Sequence, residues 1–248
     1  SYKAIQICNQ YLAEFQGLTF DELKLNDDYR AQMFRYTNSF KEARFLRAYF
    51  YFNLVRAYGD VPYFTEMVTT DQVNSLTRTP AQEIFNAIIA ECDKLSTELP
   101  ADYTKLGLDG IAPAENGRVT CYAALALKAR AALYAASPLF NPENNKDLWR
   151  RAAEANKEVI ETCTANGFKL SKYSELWGPN NWSNNEMIFV RRYNGNISTL
   201  EEYNFPMGVP GGNSGNCPTQ NMVDAYEMKA TGKMWNETGS GYDASNPY

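Results

Sequence analysis

The residues best suited to ligand chemistry in this 248-residue sequence are aromatic side chains set beside amides, in stretches that lack regular apolar periodicity. Trp182 lies between Asn181 and Ser183. Tyr203-Asn204-Phe205 precedes a proline and a glycine-rich run over 207–217, and Trp235-Asn236-Glu237 lies in a further polar stretch. A flat ring offers an apolar face for stacking, worth about 1 kcal/mol beyond the area covered, while neighbouring amides hydrogen-bond the polar groups of a ligand. Loops carry such constellations more often than helix faces do. Trp182, Asn181, Tyr203, Asn204, Phe205 and Trp235 are therefore the candidate binding residues.

Other chemistries have less to work with. The sequence contains no histidine, which removes Ser-His and Cys-His dyads and His-ligated metals from these 248 positions. The five cysteines, Cys8, Cys92, Cys121, Cys163 and Cys217, are scattered with no C-x-x-C pair, and read as buried free thiols. No metal or cofactor is expected. Two carboxylates alone can hydrolyse a glycoside, but no Asp/Glu pair stands at the end of a predicted strand, so the chain does not read as an enzyme. A formal charge of −5 and a pI near 5.0, with no dense Lys/Arg run, argue against nucleic acid. No stretch reaches the roughly 18 apolar residues of a membrane-spanning helix.

The elements that must position these residues are mainly helical. Tyr2, Ile5, Cys8, Tyr11, Leu12 and Phe15 recur at steps of three and four, predicting a helix over 2–16. Ser39 and Glu42 have the spacing of a capping box ahead of a run, 39–58, that is apolar almost all round and must be central. On it, Glu42 reads as a cap partner. Arg44, Arg47 and Arg56 read as reaching neighbouring carboxylates or snorkelling to the surface. Gly59 closes this helix and Asp60-Val61-Pro62 forces an extended chain. Thr79-Pro80 opens the next helix, which ends near Leu99-Pro100; 102–116 is a loop, and 117–137 is an alanine-rich helix whose small residues admit close neighbours.

A fifth helix, 147–166, is closed by Gly167. Its Trp149, Ala152, Ala153 and Asn156 have the spacing of the first helix of a tetratricopeptide repeat, which puts Trp149 in the core. Met187-Ile188-Phe189-Val190 predicts one short strand, 191–217 is loop-like, and a last helix runs over 218–229. The pattern reads as divergent helix-pair repeats stacked into a solenoid, with loops of uneven length between the pairs.

The run from Phe40 to Pro62, FKEARFLRAYFYFNLVRAYGDVP, closely resembles the signature helix of the SusD/RagB family. In the family's order follow Thr79-Pro80, Gly117-Arg118-Val119-Thr120, Tyr173-Ser174-Glu175-Leu176-Trp177, Asn184-Asn185-Glu186-Met187-Ile188-Phe189, Pro218 to Glu227, and Gly241-Tyr242-Asp243 with Pro247-Tyr248. The resemblance covers essentially the whole chain and identifies it as the N-terminal half of a SusD-like protein: one domain over 1–248, incomplete, with a preceding segment and a C-terminal half expected outside it. It places Trp177 at a usually apolar position.

The resemblance further implies a mainly α fold, an α/α superhelix of divergent tetratricopeptide-like helix pairs with long irregular loops, and non-catalytic capture of a glycan or, within the same family, a peptide. It also implies an outer-membrane, surface-exposed lipoprotein whose lipid anchor lies upstream, and a SusC-like TonB-dependent transporter as partner. The rival reading is a tetratricopeptide-type scaffold that binds only protein or peptide, along helix faces instead of aromatic loops.

Overall fold

The computed structural model describes residues 2–108, 117–177, 184–190 and 203–246. The chain divides into two compact units, Ser1–Arg192 and Tyr193–Tyr248.

The first unit is helical. Helices α1 (Tyr2–Glu14), α2 (Tyr29–Tyr58), α3 (Thr70–Ser75), α4 (Ala81–Glu98), α5 (Cys121–Ala136) and α6 (Lys146–Ala165) follow in chain order. Packing proceeds from neighbour to neighbour: α1 on α2, α2 on α4, α4 on α5 and α5 on α6. This serial stacking is how helix pairs build a solenoid, each burying its apolar stripe against the next. One core results, from Ile5 through Phe45, Phe52, Ile84, Phe85 and Ile88 to Ala132, Ala136 and Ala155. Alanines 123, 124, 129, 131, 132, 135 and 136 are all buried, so α5 contributes mostly small side chains to the core it shares with α4 and α6. At the rim, Lys128 Nζ joins all three helices by contacting Asp93 Oδ1 and Glu158 Oε2, both at 2.6 Å.

The signature helix begins ten residues earlier than its sequence suggests. Ser39 is no cap: its hydroxyl lies within α2, 2.5 Å from the Tyr36 carbonyl and 2.6 Å from Tyr11 Oη. A serine that bonds back to the preceding turn reads in sequence like an N-cap. Glu42 is correspondingly no cap partner, and takes Arg118 as described below. A capping box does form at Thr69 and Gln72, at the start of α3.

The excursion between α2 and α4 is strapped down by side chains. Tyr2 Oη donates to the Pro62 carbonyl, Gln6 to Val68, Asn9 to Glu66 and Arg47 to Thr65. Tyr51 Oη both donates to the Phe64 carbonyl and accepts from its N–H. Its two ends meet in an antiparallel bridge between Val61 and Thr79, and Asp60 Oδ1 accepts from Ala81 N at 2.8 Å, capping α4 from outside. Pro80 sits at that N-cap, one residue before the first helical position. Polar side chains of α1 and α2 thus satisfy backbone groups that no sheet or helix serves.

Four further expectations change. On α6 the buried seam is Ala152, Ala155 and Cys163, with Leu148 and Val159 packed against it; Ala153 is exposed, and Trp149 is 37% exposed with Nε1 donating to Asn144. The spacing 148, 152, 155, 159, 163 is the better helical stripe, and it excludes Trp149. Residues 187–190 form bends, not a strand, and among the described residues no strand is present to pair with them. Met187 N instead closes a turn on the Asn184 carbonyl. In the second unit the last helix, α7, spans only Gln220–Asp224, because the chain from Met228 is committed to a turn in which Met228 N donates to Lys233 O and Gly232 N to Met228 O. Cys217 is exposed, whereas Cys8, Cys92 and Cys163 are buried and all five thiols are free.

Candidate functional site

The second unit brings Tyr203, Asn204 and Phe205 together on a loop that closes on itself. Gly215 N donates to the Tyr203 carbonyl at 2.7 Å and Ser214 N to the Phe205 carbonyl at 2.8 Å, so the two limbs pair antiparallel across a few residues. Met207 N donates to Ser214 Oγ, and Asn216 Nδ2 donates to Asn204 Oδ1 at 2.7 Å. The Tyr203 ring lies directly on Gly215: a Cβ added there would overlap the ring. Only glycine permits that approach. The outer surface of the loop is aromatic and amide: Tyr203 is 53% exposed and Phe205 42%. Tied limbs hold the rings in place before a ligand arrives, which reduces the ordering cost of binding.

Trp235 belongs to the 228–242 turn. Ser240, buried, donates through Oγ to the Trp235 carbonyl and accepts from Tyr242 N, while Thr231 Oγ1 donates to the Ser240 carbonyl. These bonds set the Trp235 and Tyr242 rings edge to face, with centroids 5.4 Å apart, each ring 38% exposed. Tyr242 is the residue that reasoning from sequence missed. Its pairing with Trp235 depends on a turn set by Ser240, which no local motif announces. Trp182 and Asn181 lie outside the described residues, as does the Trp177 side chain.

In the first unit the conspicuous charges already have partners. Arg44 reaches Glu91 at 2.7 Å and Glu98 at 2.6 Å, Arg47 Nη1 donates to Asn9 and to the Thr65 carbonyl, and Arg56 lies over the Phe52 ring. Arg118 grips Glu42 through Nε and Nη2 at 2.9–3.2 Å, beside Asn38 and Tyr103. Burial pushes the Tyr103 phenol well above its usual range, so it stays protonated and donates to the Val119 carbonyl. Among the described residues, no cluster of three or more Cys, Asp or Glu could hold a metal ion, and no helix is long and apolar enough to cross a membrane.

Comparison with known proteins places this arrangement. The family described as SusD-like, starch-binding associating with outer membrane, matches residues 1–133. SusD-like protein P25 of Formosa agariphila is 25% identical over 149 residues, covering 60% of this chain and 24% of that protein. SusD-like protein P2 of the same organism is 26% identical over 203 residues, covering 80% and 34%. The chain thus spans about a quarter to a third of the length of these relatives. Among solved structures, a SusD-like protein from Bacteroides fragilis superposes with a TM-score of 0.69 at 25% identity, over 94% of this chain and 41% of that one. A laminarin-binding SusD-like protein gives 0.55 at 26% identity, over 76% and 35%. With a helical stack matched across most of its length and the family match spanning more than half of its residues, the chain belongs to the SusD-like family.

Proposed function

We propose that this chain is part of a non-catalytic glycan-binding protein of the outer-membrane surface, held there by a lipid anchor, that passes captured oligo- or polysaccharide to a SusC-like TonB-dependent transporter. The observation that carries the reading is the tied 203–217 loop, which holds two half-exposed rings beside the bonded amides of Asn204 and Asn216. Aromatic faces flanked by amides suit the alternating apolar and hydroxylated surface of a pyranose. Trp235 is proposed as a further contact within the same unit, and Trp182 and Asn181 as separate candidates. The laminarin-binding relative supports a glycan as the ligand class, and both compact units are read as parts of one SusD-like domain. The non-catalytic reading is supported by carboxylates already committed to structure: Glu42 to Arg118, Glu91 and Glu98 to Arg44, Asp93 and Glu158 to Lys128.

Native affinity electrophoresis of the full-length protein against plant, host and microbial glycans tests this. One glycan class is expected to retard the protein, with Tyr203→Ala and Phe205→Ala each weakening retention about fivefold to tenfold. The retained glycan should keep its chain-length distribution after prolonged incubation. A folded protein retarded by no glycan would move the assignment to peptide capture.

A further inference from the structure

The helical unit contains a cleft of about 650 Å³ that none of these contacts uses. It lies between the 100–106 turn after α4, the first turn of α5, the turn that ends α6 and residues 184–190. Its size falls within the range of small-molecule sites.

The walls are fixed. Tyr103 is buried, donating to the Val119 carbonyl and accepting from Asn38 Nδ2 at 2.8 Å. The Arg118 guanidinium sits 5.8 Å from the Tyr103 ring centroid with its charge met by Glu42. The end of α6 is held by Gly167, whose φ of +87° lets Phe168 N reach back to the Cys163 carbonyl and Gly167 N to that of Thr164. That reversal sets Phe168 edge to face with Tyr122, centroids 4.8 Å apart.

Two groups on these walls have capacity to spare. Tyr122 is only 7% exposed, yet its hydroxyl has no hydrogen-bond partner among the described residues, and it is not one of the sealed polar atoms of the interior. The ring is covered while the hydroxyl reaches the surface of the cleft, where it is open to a ligand. Exposed Asn185 uses its backbone carbonyl to accept from Lys169 N, while its side-chain amide has no partner among the described residues. The charges at the rim are met locally: Asp102 accepts from Thr104 and pairs with Lys105, as Arg118 does with Glu42. An aromatic wall, an unpaired phenol, an unpaired amide and neutralised charges match an uncharged polyhydroxylated ring better than an ion.

We infer that this cleft is a second carbohydrate subsite, which takes a neutral mono- or disaccharide portion of a glycan against Phe168, with its hydroxyls on Tyr122 Oη and the Asn185 amide. The inference rests on the glycan reading above but on different residues, in a different unit. Tyr122→Phe is the discriminating variant. It removes a hydroxyl that bonds nothing among the described residues, so thermal stability should hold.

Maltotriose and laminaritriose serve as probes, titrated calorimetrically into the full-length protein and followed by hydrogen–deuterium exchange at saturation. The subsite requires new protection over 100–106 and 117–122, and binding about fivefold weaker in Tyr122→Phe and in Asn185→Ala. Protection confined to 203–246, with both variants binding like wild type, overturns the subsite and leaves the loop site standing. A wild-type protein that binds neither probe nor any glycan of the electrophoresis panel overturns both.

Discussion

At the scale of single residues, the structure separates groups that hold the fold from groups that face a ligand. Burial pushes the Cys92 thiol up to about 12 and also raises those of Cys8, Cys121 and Cys163, so these stay protonated at neutral pH. A thiol-specific chromogen at pH 8 should therefore react quickly with Cys217, more slowly with half-buried Cys121, and with Cys8, Cys92 and Cys163 only on unfolding. A third thiol that reacts in the native protein would contradict this burial. Glu42→Gln leaves Arg118 without its carboxylate; since both side chains keep some exposure, 15% and 29%, about 2 kcal/mol of stability should be lost in urea denaturation. Gly215→Ala should displace the Tyr203 ring and weaken glycan retention about as much as Tyr203→Ala does, with the helical unit's exchange protection unchanged. Tyr203 and Phe205 can be picked out of the sequence as aromatics in a polar stretch. Gly215 under Tyr203, and Tyr242 against Trp235, could not be, because each contact joins residues that only the folded loop brings together.

At the scale of elements, apolar periodicity was enough to locate α1, α4, α5 and α6 to within a few residues, since each buries a continuous stripe. It failed where polar residues act inside an element. Ser39 sits mid-helix bonding backwards, and Asn38, also buried, bonds Glu42 and Tyr103, so the true first turns of α2 look like a loop. The 187–190 run failed for another reason: an apolar tetrapeptide becomes a strand only with a ladder partner. The start of α4 gives a test at this scale. Asp60 is a cap supplied from 21 positions away, so Asp60→Ala should destabilise by about 1 kcal/mol and speed amide exchange in the first turn of α4 more than at its centre. Equal exchange along the helix would rule out that role.

At the scale of the whole chain, the alanines of α5 set how closely the helical layers approach. Ala132→Leu has no space to occupy between α4 and α6 and should cost about 1–3 kcal/mol, read as a lowered unfolding midpoint. The strap over residues 62–68 bears on how the protein is made. Proteins emerge from the ribosome N-terminus first, at about 5–20 residues per second. Tyr2, Gln6 and Asn9 of α1 are synthesised before the residues whose carbonyls they bond, Pro62, Val68 and Glu66. In any chain that emerges N-terminal end first, from a ribosome or an export channel, these bonds of the first helix must wait until residue 68 is clear. Nascent chains arrested before that point should leave α1 open to protease, and arrest after α4 has emerged should protect it.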